Sequence, residues 1–411
     1  MGVKFEGFNY INGGICAPSG FLAAGLHCGL RKNKSKKDLA LIVANEVCNT
    51  AAVYTSNKVK ASPLMVTKEH LEDGKAKAII CNSGNANACN ADGEDKAKSM
   101  CKIVAQELDI DMKDVLVAST GVIGQTLDIM PIKNCIGNLS QSLSTTGSGN
   151  AAEAIMTTDT VKKELALEFE IGGEKCRMGV IAKGSGMIHP NMGTLLCFIT
   201  TDVDINTPLL QKALKRAVKL TLNRVSIDGD TSTNDMAIIM ASGDAKNKKI
   251  INEGKDYEIF LNALYILLMN AARKIAADGE GATKLLECMC VNAPSEDVAE
   301  KVAKSVITSS LFKAAMFAAD ANWGRILCAI GYADAEFNID GIGVELASSK
   351  GKIIVCKDGN GVSFSEESAK EILSDDEVKI MIDLQNGDGK AIAWGCDLTY
   401  DYVKINADYR T

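Results

Sequence analysis

A glycine and a threonine at the end of a loop are the first candidates for chemistry in this sequence. The segment KGSGMIHPNMGTLLCFITTDVDI (183–205) changes from a loop rich in Gly, Pro and Asn into an apolar strand that begins at Thr194. A threonine hydroxyl becomes a nucleophile when a base takes its proton, and an N-terminal threonine supplies that base from its own α-amine. Such an amine has a reference pKa of ~7.7 to 8.0, so its neutral form is available near pH 7. The pair Gly193–Thr194 therefore predicts a nucleophile that is created by cleavage of the bond before it.

The residues around this bond suit self-cleavage. Gly193 has no Cβ to obstruct the Oγ atom of Thr194 as it attacks the Gly193 carbonyl, and glycine tolerates a strained backbone. Pro190 restricts the loop before the bond, and strand pairing would hold the threonine after it. By itself, however, a Gly-Thr pair before a strand is also an ordinary loop ending. Other motifs must decide between these two interpretations.

A mixed fold of helices and strands must position this junction. Apolar runs bounded by Gly, Asn or Lys predict buried strands at 39–47, 75–84, 114–120, 352–359 and 391–399. Apolar spacings near 3.6 residues, preceded by acidic or capping residues, predict helices at 94–109, 208–225, 257–278 and 295–310. The predicted class is α/β or α+β, with layers of helix packed against sheet.

Composition and charge limit the classes of function. The chain has 411 residues, of which 46% are hydrophobic, enough for two domains or one large α/β body. A net charge of −7, without a run of Lys or Arg, predicts no nucleic-acid partner and no anionic membrane surface. The first residues have no signal-peptide pattern, and no apolar stretch reaches the ~18 residues of a spanning helix. These observations predict a cytoplasmic protein that acts on small molecules.

Fourteen cysteines and three histidines raise the alternative of a thiol or metal-binding protein. No CxxC pair occurs, and the closest pair, Cys288 and Cys290, is predicted to share one face of a strand. We therefore expect mostly reduced core cysteines and no metal site. Cys81, Cys89 and Cys101 stay open as ligands by spacing alone.

Eight motifs in the same order resemble the ornithine acetyltransferase family, the bifunctional glutamate N-acetyltransferases and amino-acid acetyltransferases of arginine biosynthesis. They are NSGNANAC (82–89), STGVIG (119–124), AIMTTDT (154–160), KGSGMIHPNMGTLL (183–196), SIDGDTSTND (226–235), DGEGATK (278–284), DANWGR (320–325) and INADYRT (405–411). The resemblance implies an αββα-type sandwich that cleaves itself into an α chain (1–193) and a β chain (194–411), paired as a heterotetramer. The family often has Ala where Gly193 stands, and both residues are small.

The same resemblance implies roles for individual residues. Thr194 would be the nucleophile, and Thr120 and Gly121 would form an oxyanion hole from a hydroxyl and a backbone N–H. The implied substrate site consists of Thr157 (or Thr158 in the alternative register), Lys183, Thr194, Glu280, Asn406 and Thr411. Within it, Lys183 suits substrate carboxylates and Glu280 suits an ammonium group.

The implied reaction is a ping-pong transfer of acetyl. Thr194 takes acetyl from N-acetylornithine, and glutamate then takes it from the threonyl ester. The resemblance implies no metal or bound cofactor, and acetyl-CoA stays open as a second donor. The alternative within this class is a self-cleaving aminopeptidase or amidase, in which water takes the acyl group. Lys183, Glu280 and the INADYRT segment favour an amino acid as the acceptor.

Three further features are predicted to be structural. The carboxylate-rich loop SIDGDTSTND lacks the Glu of an EF-hand calcium loop, because Ile239 stands at the twelfth position. Asp278 is expected to cap a helix or shape a turn. His189 is expected to have a positional role, since a threonine amine makes a histidine base unnecessary.

Overall fold

The computed structural model describes residues 5–189 and 195–407, which form sixteen strands and eleven α-helices. The strands are β1 Asn9–Ile11, β2 Phe21–Leu26, β3 Leu39–Tyr54, β4 Lys75–Asn82, β5 Val115–Ser119, β6 Lys163–Ile171, β7 Glu174–Lys183, β8 Leu196–Thr201, β9 Val225–Ser226, β10 Met236–Ala241, β11 Leu285–Ala293, β12 Gly343–Ser348, β13 Gly351–Lys357, β14 Asn360–Gly361, β15 Glu377–Asp383 and β16 Gly389–Cys396. The helices are α1 Ser62–His70, α2 Gly93–Leu108, α3 Met130–Gln141, α4 Ser148–Ala154, α5 Thr207–Leu220, α6 Lys255–Ala277, α7 Glu296–Thr308, α8 Ser310–Phe317, α9 Trp323–Gly331, α10 Glu366–Leu373 and α11 Tyr400–Ala407.

Nine strands form the larger sheet, in the order β1-β6-β7-β8-β10-β3-β4-β5, with β2 also paired to β3. The central strands β8 and β10 are parallel, with Leu196 opposite Met236. Strand β7 runs antiparallel to β8 and places Lys183 opposite Leu196. The end of β7 and the starts of β8 and β10 therefore lie side by side at the same end of these central strands. Asp235 lies there too, directly before β10.

Seven strands form the smaller sheet, in the order β14-β13-β12-β15-β11-β16-β9. Helix α7 packs on β11 and β16, whereas α5 packs on β3 and α6 packs on β6 and β7. Helix α6 also contacts β11 and β16, so it touches strands of both sheets. The α/β sandwich predicted from the sequence is confirmed, with helical layers on its sheets.

Helix α6 is the most apolar long helix of the described chain. Its length and composition would allow it to cross a bilayer, but 67% of its most apolar window is buried inside the fold. Phe260, Leu264 and Leu267 are fully covered by the core, and Asp256 stands in the first turn, where an acidic side chain favours the helix dipole. This helix is therefore a core helix, and it lies within about two residues of the predicted range 257–278.

Two predicted helices end earlier than the sequence pattern indicated. The helix predicted at 208–225 stops at Leu220, because Val225 and Ser226 pair with β16 instead of continuing the helix. The helix predicted at 295–310 is two helices, since Ser309 leaves the helical conformation and its side chain accepts a hydrogen bond from the Phe312 N–H. Strand pairing ends the first of these helices and side-chain capping ends the second, although the apolar spacing continues past both points.

The cysteines behave as core residues. All fourteen are free, and nine of them are buried. Cys288 and Cys290 are fully buried on one face of β11, as their spacing predicted. Within residues 5–189 and 195–407, no cluster of three His, Cys, Asp or Glu side chains could hold a metal ion.

Candidate active site

One cleft gathers most of the residues that the sequence motifs single out. Its lining includes Thr120, Gly121, Thr157, Thr158, Lys183, Glu280 and Asn406, together with Leu195 and Leu196. These residues come from five motifs spread over nearly three hundred positions. Gly193, Thr194 and Thr411 lie outside the described residues, so their roles stay predictions. Leu195, the residue bonded to Thr194, lies in the wall of the cleft.

Thr120 and Lys183 meet in this cleft. The Lys183 Nζ atom lies 3.4 Å from the Thr120 Oγ1 atom and donates to it. Thr120 follows β5, where its backbone N–H donates to the Asn82 carbonyl at 2.9 Å. Burial lowers the pKa of Lys183, which is only 8% exposed, although the nearby Asp159 carboxylate opposes this effect. Because Lys183 occupies a lone pair of the hydroxyl, the Thr120 proton can be donated to a ligand in the cleft.

Gly121 makes the turn that brings the backbone to the cleft. Its φ of +133° lies in the region that favours glycine. A Cβ at this position would lie 2.8 Å from the Asn85 backbone nitrogen, which is too close for any side chain. The STGVIG motif therefore needs a glycine after Thr120 for steric reasons, independently of any catalytic role.

A buried carboxylate, Asp159, fixes two segments of the cleft. It accepts hydrogen bonds from the N–H groups of Thr157 at 3.0 Å and of Gly184 at 2.8 Å. Its other partner is the Lys163 ammonium, at 2.6 Å. Burial alone would raise the pKa of Asp159, but Lys163 and Lys183 lower it to about 2. Asp159 is thus ionised, and it ties the threonine motif to the end of β7.

Asp278 has more than the capping role that its position predicted. It directly follows α6 as its C-cap residue, but its carboxylate also lies 2.5 Å from Lys163 Nζ, and both side chains are buried. It accepts hydrogen bonds from Thr160 as well. Removing one member of such a buried group leaves an uncompensated charge, so this cluster ties the end of α6 to the threonine motif beside the cleft.

Glu280 and Asn406 close another side of the cleft. The Asn406 Nδ2 atom donates to the Glu280 Oε2 atom at 2.8 Å, so α11 packs its last turn against the site. The Glu280 N–H donates to the Ser185 carbonyl at 2.9 Å. A Cβ on Gly186 would lie 2.3 Å from the Glu280 carboxylate, so any other residue there would displace this acid from its present position. The INADYRT motif therefore contacts the cleft through Asn406.

The loop SIDGDTSTND holds the chain that leads to the predicted cleavage site. The Asp228 carboxylate accepts from the N–H groups of Met187 at 2.6 Å and Ile188 at 2.9 Å. The Thr231 hydroxyl donates to the His189 carbonyl at 2.8 Å. Burial lowers the pKa of the His189 side chain, whose Nδ1 lies 3.1 Å from the Ser226 hydroxyl. The loop thus holds the segment before the predicted cleavage site, and its last residues also form part of the cleft wall.

Sequence reasoning missed Asp235, the last residue of this loop. Asp235 lines the cleft, is only 2% exposed, and its Oδ2 atom has no hydrogen-bond partner among the described residues. Burial raises its pKa well above the usual range, although Ser232 and Lys183 oppose this shift. The sequence could have indicated this residue, because Asp235 directly precedes the apolar strand MAIIMA and such a position is buried together with the strand.

We expect Asp235→Asn to raise the thermal stability of the protein more at pH 8 than at pH 5. Because the pKa of Asp235 is raised in the folded protein, the folded state binds the carboxyl proton more tightly than the unfolded state does. The stability that this proton provides is fully present below the unfolded-state pKa of ~3.9, and it is lost as the pH rises towards the folded-state pKa. This loss amounts to about 1.4 kcal/mol for each pH unit between the two values. Apparent melting temperatures from pH 4.5 to 8.5 measure the effect, with the exposed Asp230→Asn of the same loop as control. A stability difference that does not change with pH would contradict this assignment.

The cleft gathers hydroxyl, ammonium and carboxylate groups around one pocket, as the active site of an enzyme does. The chain belongs to the ArgJ family, whose family model matches residues 22–411. The predicted family resemblance is thereby confirmed, and the chain is an acetyltransferase-type enzyme of arginine biosynthesis.

Several relatives resemble the chain over nearly its whole length. The arginine biosynthesis bifunctional protein ArgJ of Caldanaerobacter subterraneus is 48% identical over 402 residues, which cover 98% of this chain and 99% of that protein. The protein of the same name from Bacillus subtilis is 45% identical over 403 residues, covering 98% and 97% of the two chains.

Two solved structures have related sequences. ArgJ of Bacillus halodurans is 46% identical with a TM-score of 0.49, covering 52% of this chain and 98% of that chain. The ornithine acetyltransferase of Mycobacterium tuberculosis, solved in complex with ornithine, is 32% identical with a TM-score of 0.41, covering 46% and 99%.

Proposed function

We propose that the chain cleaves itself before Thr194 and then transfers acetyl from N-acetylornithine to glutamate through an ester on Thr194. The observation that carries this proposal is the single cleft in which residues of five distant motifs meet, with Leu195 in its wall. Membership in the ArgJ family supports the proposal independently.

The proposed self-cleavage needs only groups of the chain and water. The Thr194 Oγ atom attacks the Gly193 carbonyl carbon, the C–N bond breaks, and the Thr194 nitrogen becomes a free amine. Water then hydrolyses the ester and releases a Gly193 carboxylate. The products are an α chain, residues 1–193, and a β chain, residues 194–411, which we propose to pair as a heterotetramer of two copies each.

In the proposed acetyl transfer, the new amine of Thr194 takes the hydroxyl proton as Oγ attacks the acetyl carbonyl of N-acetylornithine. The Thr120 hydroxyl and the Gly121 N–H stabilise the negative charge on the carbonyl oxygen, as each such donor can by about 3 to 4 kcal/mol. Ornithine leaves with the proton on its amine. The amine of glutamate then attacks the threonyl ester and regenerates Thr194.

Charges of both signs in the cleft suit amino-acid substrates. Lys183 is the cation that can bind a substrate carboxylate, and Glu280 is the anion that can bind the ammonium of ornithine. We assign Thr157, Asn406 and Thr411 to the same substrate site, as the motifs suggested. The proposed enzyme needs no bound cofactor or metal, and it acts on small molecules in the cytoplasm without nucleic-acid or membrane partners. Acetyl-CoA is proposed as a second acetyl donor.

Incubation with N-acetylornithine and glutamate, without acetyl-CoA, is expected to yield N-acetylglutamate and ornithine in equal amounts. Initial rates in double-reciprocal form should give parallel lines, because acetyl resides on Thr194 between the two half-reactions. Chromatography of the amino acids measures both products. Accumulation of acetate with unmodified glutamate would instead support the amidase alternative, in which water is the acceptor.

A further inference from the structure

A buried amide in the wall of the active-site cleft, Asn234, has both of its amide hydrogens engaged within the protein. It lines the cleft and is only 5% exposed. Its Nδ2 atom donates to the carbonyl oxygens of Ala86 at 2.6 Å and of Ser119 at 2.8 Å. Its Oδ1 atom accepts from the Thr233 hydroxyl at 2.6 Å. Because an amide has only two hydrogens to donate, Asn234 has none left for a ligand, and it holds backbone segments instead.

The hydrogen bond from Asn234 to Ser119 fixes the peptide group directly before Thr120. Ser119 is the last residue of β5, and its carbonyl shares one planar peptide group with the Thr120 N–H. That carbonyl accepts from Asn234, and that N–H donates to the Asn82 carbonyl at 2.9 Å. The peptide group is therefore held on both sides, and it sets the direction in which the Thr120 side chain leaves the backbone.

The hydrogen bond from Asn234 to Ala86 holds the other side of the same turn. The Ala86 N–H donates to the Val122 carbonyl at 3.1 Å, so Ala86 is bound to the residue that follows Gly121. The turn also packs directly on this segment, since a Cβ on Gly121 would lie 2.8 Å from the Asn85 backbone nitrogen. One side chain thus reaches both flanks of the turn that carries the proposed oxyanion donors.

Asn234 is also close in the chain to the strand that pairs with β8. Two residues later, Met236 begins β10, and its N–H donates to the Leu195 carbonyl at 3.0 Å. Leu195 directly follows the proposed nucleophile in the sequence. The segment between is held in place, because the Asp235 carbonyl accepts from the Thr55 N–H at 3.0 Å. A short path of one side chain, two residues and one backbone hydrogen bond therefore joins the oxyanion turn to the start of β8.

We propose that Asn234 is a positioning residue, which fixes the oxyanion turn relative to the strand that follows the proposed nucleophile. This inference rests on the proposed acetyl transfer and adds a residue that acts through Thr120 without touching the substrate. Lys183 also contacts Thr120, but it reaches the hydroxyl and not the backbone. Stabilisation of a developing charge depends on donors held at preset distances, and a misplacement of about 1 Å can lower a rate by about 10²-fold.

The uncharged variant Asn234→Leu tests this inference in the full, processed protein, because leucine has a similar size but donates no hydrogen bond. We expect kcat, normalised to the cleaved fraction, to fall about 10²-fold, while KM for N-acetylornithine stays within about twofold of the wild type. The matched control is Asn247→Leu. Asn247 is also buried, its Nδ2 atom donates to two backbone carbonyls at 2.9 and 3.2 Å, and it is not part of the cleft lining. This control should keep kcat within about twofold.

The double variant Thr120→Ala/Asn234→Leu shows whether Asn234 acts through Thr120. Once the Thr120 hydroxyl is absent, the second substitution should lower kcat by less than about tenfold. Losses that simply multiply, a rise in KM alone, or an equal fall in kcat for Asn247→Leu would overturn the inference. Should circular dichroism show that Asn234→Leu does not fold, Asn234→Ala removes the same donors and is judged by the same outcomes. A wild type without acetyl transfer would instead reject the proposed function itself.

Discussion

Thr194→Ala is expected to give one uncut polypeptide without measurable acetyl transfer, whereas the wild type gives two fragments. The alanine removes the hydroxyl that attacks the Gly193 carbonyl, so the amine that serves as base is never released. We expect a loss in turnover of at least about 10⁴-fold, the scale seen when a nucleophile is removed. Denaturing electrophoresis and intact mass spectrometry measure the cleavage. N-terminal sequencing of the second wild-type fragment should read Thr-Leu-Leu-Cys-Phe.

Thr194→Ser is the matched control for this variant. A serine keeps the hydroxyl and, after cleavage, the α-amine, so it should retain part of both activities. A single uncut wild-type species with full activity would refute the N-terminal nucleophile mechanism. Activity in the alanine variant would refute the choice of Thr194 as nucleophile.

Thr120→Ala is expected to lower kcat by about 10² to 10³-fold and to leave KM for N-acetylornithine nearly unchanged. The Thr120 hydroxyl accepts from Lys183 Nζ at 3.4 Å and has its own proton left for the developing oxyanion. That negative charge exists in the transition state and not in the bound substrate. The substitution should therefore lower kcat and leave the affinity for the substrate unchanged. Rates must be normalised to the cleaved fraction, since self-cleavage passes through a similar oxyanion.

Thr120→Ser separates this role from packing. The serine keeps the donor in the same place but lacks the methyl group, so it should recover most of the lost turnover. Equal losses for both variants would indicate a steric role for Thr120 in the turn before Gly121. A rise in KM with an unchanged kcat would place Thr120 in substrate binding instead of oxyanion stabilisation.

Much of the fold was predictable because apolar runs and helical spacings are local properties of the chain. The predicted strands at 39–47 and 75–84 became parts of β3 and β4, and the helix predicted at 257–278 became α6. The predicted helix at 208–225 was too long because β9 pairs with a strand about 170 residues later in the chain. Apolar spacing contains no information on such long-range pairing.

The sequence by itself determined the class of enzyme and the residues proposed to act, because ordered motifs fix residue identity at each position. It could not determine which of the remaining polar residues share the site. Only the tertiary structure placed Asp235 beside Lys183, and only the tertiary structure joined Lys163 to Asp159 and Asp278. Desolvation and charge pairing depend on what surrounds a side chain in space, and those neighbours come from segments far apart in the chain.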